Sequence, residues 1–285
     1  MCCRYVQGLL VLTVKNYPDL LICGSIAIDR IMNFSGSFAN VIRPDKLHVL
    51  SLSVLLDELK DTQGGVGANI AYTLALLGEN PTLLGSVGKD AFAYIAKLKQ
   101  LGINTDYIYV SSKKTASYTV LTDIDDNQIG GFYPGAMFDS DSLSFTPWKG
   151  KDVFVVISPH DPKAMSRQIE ECREYGFRLF YDVSQQVNNI EAKDITKALT
   201  CTELLILNDY EFGVLCEKTK MKPGQVYSKI PVVVVTKGEK GSDVFGKTVG
   251  KPISISSVTV ESFVDPTGAG DAYRAGFLYG YIRNY

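Results

Sequence analysis

From residue 152 onward the chain alternates short, unbroken apolar runs with helix-type stretches, and nothing else in the sequence restricts the fold so tightly. Run 152–157 is followed by helical 163–175, run 177–182, helical 191–199, run 203–207, helical 208–217, and Val232-Val-Val-Val235 after Pro231. Unbroken Val, Ile and Leu runs are strands buried on both faces. Helices between them return the chain across the sheet, so the strands lie parallel. Upstream, Leu20–Cys23 stops at Gly24 as another buried strand. Residues 66–78 read as a helix closed by Gly78, 81–87 as a strand, 90–101 as a helix, and Gly268 to Ile282 as a final helix. The expectation is an α/β fold, a three-layer α/β/α sandwich around a mostly parallel sheet.

Two stretches break the alternation. Residues of about 30–62 and 107–135 carry β-type segments without crossover helices, and 117–124 and 128–133 flank Asp125-Asp126-Asn127 as a hairpin. They are expected to form a small separate sheet, a lid over a crevice at the strand C-termini. The main domain is expected to span 20–285 with this lid inserted, and residues 1–19 to form an extension without structure of its own.

Hydrophobic residues make up 46% of the 285 and charged residues 21%, a normal globular balance. A formal net charge of −2 provides no footprint for nucleic acid or an anionic membrane. The six cysteines include no C-x-x-C pair, so neither a zinc site nor a disulfide framework is indicated, and their scatter fits a reducing cytoplasm. Only His48 and His160 occur, too few for a histidine metal site, and both are expected at the surface or in loops. The apolar stretch near the N-terminus is short and carries Gln7, and no run approaches the roughly 20 apolar residues of a membrane helix.

The segment that carries chemistry is Asp265-Pro-Thr-Gly-Ala-Gly-Asp271 running into a helix. Gly268, Ala269 and Gly270 would present backbone N–H groups at the helix N-terminus, where unpaired donors and the dipole bind an anion. Asp271 in that first turn could take a proton from an attacking hydroxyl. An ordinary cap would also put Asp there, but it would not need two glycines bracketing an alanine. Gly64-Gly65-Val-Gly-Ala-Asn69 is a second glycine turn before a helix, with Asn69 able to donate to and accept from a sugar hydroxyl. In Gly24-Ser25-Ile-Ala-Ile-Asp29 the carboxylate suits a vicinal diol. Asn208 and Glu211 share one face of a helix start. They could hold Mg²⁺ through its waters or form a capping box, and spacing alone leaves both open. Thr236, Lys237, Gly238 and Gly241 follow a Val-rich strand and could line a nucleotide. Gly241 to Thr248 also matches G-x-x-x-x-G-K-[ST]. A P-loop must join a strand to a helix, however, and this stretch reads as a hairpin.

Taken together and in this order, these segments resemble the ribokinase-like (PfkB-type) carbohydrate kinases from about Leu20 to the C-terminus, most nearly the bacterial-type adenosine kinases. Phe132-Tyr-Pro-Gly-Ala-Met137, Ser184-Gln185-Gln186 and Arg274-Ala-Gly-Phe277 add to the likeness. The resemblance implies ATP-dependent phosphorylation of the 5′-hydroxyl of adenosine, with Asp271 as base and Gly268 to Gly270 as anion hole. It implies that Asp29, Gly65 and Asn69 bind the ribose, while Phe132, Gln186 and Gln185 border the purine. Asn208 and Glu211 would organise Mg²⁺ and phosphates, and Asp265 and Thr267 a monovalent cation such as K⁺. It also implies a homodimer through the β lid, with Tyr118 reaching the partner's site. The family continues beyond the position of Tyr285 with segments that complete the nucleotide and cation sites, and Val183 replaces an expected proline. The alternatives are a sugar kinase such as ribokinase or fructokinase, a broad nucleoside kinase, or a catalytically silent nucleoside-binding protein.

Overall fold

The computed structural model describes residues 2–6, 9–13, 18–260 and 267–285. A 9-stranded sheet runs in the order 253–255, 242–245, 232–236, 202–208, 178–181, 153–157, 19–23, 82–87, 108–110. Strands from Val232–Thr236 to Ile108–Val110 are parallel, and Ser242–Phe245 and Ile253–Ile255 add an antiparallel edge. No helix follows Ser242–Phe245, so the P-loop look-alike is a hairpin, as expected.

The apolar runs are unbroken because both sheet faces are covered. Val153, Val155 and Ile157 enter one core, and Phe154 and Val156 the other. Helices Pro162–Tyr175, Ala192–Ala198, Asp209–Thr219 and Pro223–Lys229 cover the first face. Val66–Leu76, Phe92–Gln100 and Ala269–Ile282 cover the second. Local chemistry sets their ends: Asp161 caps Pro162–Tyr175 by accepting from Lys163 N, and Gly176 closes it at φ 70°.

A separate 4-stranded sheet has the order 58–64, 27–33, 116–122, 128–133. Its central pair is parallel and its outer pairs antiparallel. Ile108–Val110, expected within the lid stretch, instead pairs with Gly85–Val87 at the edge of the large sheet. Ile108 packs on the second core, which draws the segment there. At the N-terminus, Cys2–Val6 and Leu9–Thr13 form an antiparallel pair where an unstructured extension was expected. Among the described residues no helix is long and apolar enough to cross a membrane.

Candidate active site

Strand order reverses at Asp19–Cys23. The chain leaves it for Thr82–Val87 on one side, and Val153–Ile157 is laid along the other. In open α/β sheets this reversal opens a crevice outside the strand C-termini. Gly24-Ser25 and Pro159-His160 leave the two strands there, tied by Ser25 N donating to Pro159 O at 3.0 Å. Gly24 has to be glycine, since a Cβ would lie 2.8 Å from Gly67 Cα in the approaching helix. Ser25 Oγ accepts from Val66 N at 3.0 Å, and Gly65 turns the chain at φ 95°, so Val66–Leu76 starts at the crevice. Ser25 thus holds the helix start through an oxygen lone pair while lining the cleft.

Helix Ala269–Ile282 packs beside Val66–Leu76 and also starts at the crevice. Gly268 is its N-cap at φ 76° and no side chain caps it. The first intrahelical bond is Ala272 N to Gly268 O at 2.9 Å, so the amides of Ala269, Gly270 and Asp271 have no intrahelical acceptor. Asn69 Nδ2 donates to Asp271 Oδ2 at 2.8 Å. Burial pushes the Asp271 carboxyl up to about 6; Asn69 and Arg274 oppose the shift, and the Asp182 and Asp29 charges add to it. That value suits a base working near neutrality.

Asp271 lines two clefts. The one beneath the lid has a volume of about 610 Å³ and is walled by Ser25, Asp29, Gly65, Asn69, Tyr118, Phe132, Gln185, Gln186, Asn189, Thr267 and Gly268. The inner one, about 230 Å³, is walled by Gln185, Asn208, Glu211, Thr236, Gly270 and Arg274. The glycine turns and Asp29 thus meet the signature helix on one side of Asp271, and the Asn208–Glu211 segment on the other.

In the lid cleft, burial raises the Asp29 carboxyl above its ordinary range. Gly64 makes room for it, since a Cβ there would stand 2.3 Å from Asp29 Oδ2. Tyr118 faces Phe132 across the lid strands and lines the cleft of its own chain. Gln186 lines the lid cleft; one N–H of its Nε2 donates to His160 O at 2.9 Å, and its Oε1 accepts from Asn189 Nδ2 at 2.8 Å. Gln185 remains exposed.

In the inner cleft, Asn208 and Glu211 do form the capping box, through Glu211 N to Asn208 Oδ1 at 2.7 Å and Asn208 N to Glu211 Oε2 at 3.0 Å. One carboxylate and one amide can hold a hydrated divalent ion through its waters but cannot enclose a bare one. No group of three or more acidic, His or Cys side chains that could hold a metal occurs among the described residues. Of the expected nucleotide-lining residues after the Val-rich strand, Thr236 reaches this cleft. Lys237 is ion-paired to Asp243 at 2.6 Å, and Gly238 and Gly241 shape the turn beyond it. A Cβ on Gly241 would lie 2.0 Å from Ile255 O, so that glycine serves the hairpin. Asp265, half of the expected monovalent-cation pair, lies outside the described residues.

The pfkB family carbohydrate kinase pattern matches residues 28–285. The chain belongs to the pfkB family of carbohydrate kinases. This kinase is 30% identical over 266 residues to a nucleoside kinase of Methanocaldococcus jannaschii, covering 92% of this chain and 83% of that protein. A nucleoside kinase of Methanothermobacter thermautotrophicus is likewise 30% identical over 270 residues, covering 93% and 83%. Among solved structures, Burkholderia thailandensis nucleoside kinase in complex with inosine superposes with a TM-score of 0.80 at 32% identity, covering 93% of this chain and 85% of that one. The kinase is a phosphotransferase with a hydroxyl acceptor, on the ribokinase-like fold.

Three contributors escaped the sequence reading as separate residues, and a fourth, His160, is more buried than expected. Arg274, quoted only within a family segment, is buried on the signature helix. Its Nε lies 3.0 Å from Asp182 Oδ1, and its Nη2 donates to Ser184 Oγ at 2.7 Å and lies 3.6 Å from Glu211 Oε2. Asp182 comes from a different strand end and is fully buried; burial raises its carboxyl against the pull of Arg274. Asn189 lines the lid cleft beside Gln186. His160, expected at the surface or in a loop, is in a loop but buried, with Nδ1 donating to Ser158 O at 2.7 Å.

Proposed function

We propose that this kinase transfers the γ-phosphoryl group of ATP to the 5′-hydroxyl of a purine nucleoside, adenosine included, giving the nucleoside monophosphate and ADP. The observation that carries this is the position of Asp271 between two clefts, one suited to a nucleoside and one to phosphates. In the lid cleft Asp29 accepts two hydrogen bonds from the ribose diol, and the bases rest against Phe132 and Tyr118. Asn69 holds the Asp271 carboxylate in place as it takes the hydroxyl proton. The amides of Ala269, Gly270 and Asp271, backed by the dipole of a 14-residue helix, stabilise charge that develops on the phosphoryl oxygens. A hydrated Mg²⁺ held through its waters by Asn208 and Glu211 would neutralise phosphate charge.

A specific observation favours a broad nucleoside acceptor over adenosine alone. One N–H of Gln186 and one lone pair of its Oε1 are taken within the protein, so fewer of its groups are left to read one base edge. The related Burkholderia thailandensis nucleoside kinase forms a complex with inosine, which also supports this breadth. The test is phosphorylation of adenosine, inosine, ribose and fructose with ATP and Mg²⁺, with products resolved by mass spectrometry. Nucleoside monophosphates are the expected products. Preferential phosphorylation of ribose or fructose moves the assignment to a sugar kinase, and binding of nucleosides without turnover moves it to a silent binder.

A further inference from the structure

Arg274 brings a guanidinium into the wall of the inner cleft, although the residue is only 9% exposed. A guanidinium has five N–H donors on three nitrogens in one plane, and a buried one normally finds acceptors for them. Here two nitrogens are engaged. Nε lies 3.0 Å from Asp182 Oδ1, and Nη2 donates to Ser184 Oγ at 2.7 Å and lies 3.6 Å from Glu211 Oε2. Nη1 makes no hydrogen bond or ion pair among the described residues, although Asp271 stands three residues earlier on the same helix. Of the two nitrogens without a hydrogen bond, Nε is sealed off and Nη1 is not. Because the group is planar, the contacts of Nε and Nη2 fix where Nη1 sits. It sits against the helix start: a Cβ on Gly270 would lie 2.9 Å from it. Gly270 lines the same cleft, and its amide is one of those without an intrahelical acceptor. Two free guanidinium donors therefore stand beside the free amides.

We infer that Arg274 is a further catalytic residue, whose Nη1 donates to the transferring phosphoryl group alongside the amides of Ala269, Gly270 and Asp271. The inference rests on the proposed phosphoryl transfer at the inner cleft, whichever hydroxyl accepts. In that step the bond from the γ-phosphorus to the β-bridging oxygen breaks, with its electron pair leaving on ADP. The bond to the acceptor oxygen forms, and Asp271 takes the hydroxyl proton. Charge is meanwhile spread over the three other phosphoryl oxygens, where donors already in place stabilise it. Asp182 and Glu211 offset much of the long-range field of Arg274. What remains is a pair of short-range donors held in a fixed direction, which act on the phosphoryl oxygens and little on bound ADP or nucleoside. Gly270 has a second reason to be glycine, since any Cβ there would push Nη1 aside.

The experiment compares wild type, Arg274→Met and Arg274→Lys in single-turnover transfer from ATP and in equilibrium binding of adenosine, of ADP, and of ADP with aluminium fluoride, a mimic of the transferring phosphoryl group. Arg274→Met should slow transfer by about 10²–10³. Aluminium fluoride should tighten ADP binding to wild type in the presence of adenosine and Mg²⁺, and Arg274→Met should lose most of that gain. Adenosine and ADP alone should bind within about threefold of wild type, which also shows that the variant is folded. Arg274→Lys keeps a charge against Asp182 and Glu211 but has no second arm, so it should show the same split, and it decides the matter if Arg274→Met does not fold. Transfer by the folded variant within about threefold of wild type, or an undiminished fluoride effect, overturns the proposal. So does a parallel loss of adenosine and ADP affinity, the mark of a structural role. Transfer by wild type to ribose but to no nucleoside overturns only the nucleoside assignment, and the Arg274 variants are then compared with ribose. A wild type that transfers nothing to adenosine, inosine, ribose or fructose overturns both.

Discussion

Asn69 Nδ2 donates to Asp271 Oδ2 at 2.8 Å, joining the first turns of two helices whose residues lie 202 positions apart in the chain. The bond favours the ionised carboxylate and so opposes burial, which is the larger effect and holds Asp271 at about 6. Removing it in Asn69→Leu should move the acid limb of the kcat profile above pH 6 and lower kcat by about tenfold. A pH–rate profile of the variant checks this; a limb that stays in place would show that Asn69 does not tune the base.

The raised Asp271 carboxyl also costs stability. Its folded value of about 6 exceeds the ordinary 3.8. The protonated form therefore contributes stability that is complete below about pH 4 and lost as pH rises through about 6. Asp271→Asn removes the buried charge and should stabilise the fold at pH 7 by on the order of 1–2 kcal/mol, with no gain at pH 4. Urea unfolding at the two pH values provides the measurement, and equal effects at both would contradict the assignment of a buried charge.

Much of this site could be read from residue types because local backbone demands dictate them. Gly65 at φ 95° and Gly268 at φ 76° are positions that only glycine fills without strain, and each starts a helix that carries a site residue. Other parts could not, because the deciding partner is remote in sequence. Gln186 gave no sign that His160, 26 residues away, takes one of its two N–H donors. Lys237 looked like a phosphate ligand until the hairpin folded Asp243 onto it. Asn208 and Glu211 have one spacing that serves both a capping box and a hydrated ion, and spacing cannot separate the two. The Arg274 cluster draws Asp182, Ser184 and Glu211 from separate segments, a convergence that follows from sheet topology and carries no local pattern.

Asp29 and Gly64 form a matched pair. Asp29→Ala removes two charge-assisted hydrogen bonds, each of about 1.5–3 kcal/mol, and should raise the nucleoside KM by about 100-fold or more. Gly64→Ala should have a smaller effect of the same kind, because its Cβ would stand 2.3 Å from Asp29 Oδ2 and displace the carboxylate. Steady-state kinetics with each substrate varied should leave the ATP KM unchanged in both. Parallel losses for ATP would point to a disturbed fold.

Phe132 lines the lid cleft but leaves about half its surface exposed at 51%, so its removal should not unfold the lid. Phe132→Ala loses a stacking contact of about 1–3 kcal/mol and should raise the adenosine KM by about tenfold. Residual phosphorylation of ribose should be unaffected. Competition between adenosine and ribose, measured in wild type and variant, checks it.

The most direct test of Asp271 as the base is the single-turnover rate of phosphoryl transfer to adenosine, followed across pH in wild type and Asp271→Asn. The wild-type rate should rise with pH through a limb at about 6, and the variant should be slower by about 10²–10⁴ and lack that limb, with nucleoside affinity little changed. A variant that transfers phosphoryl at the wild-type rate with the same limb would show that another group takes the proton.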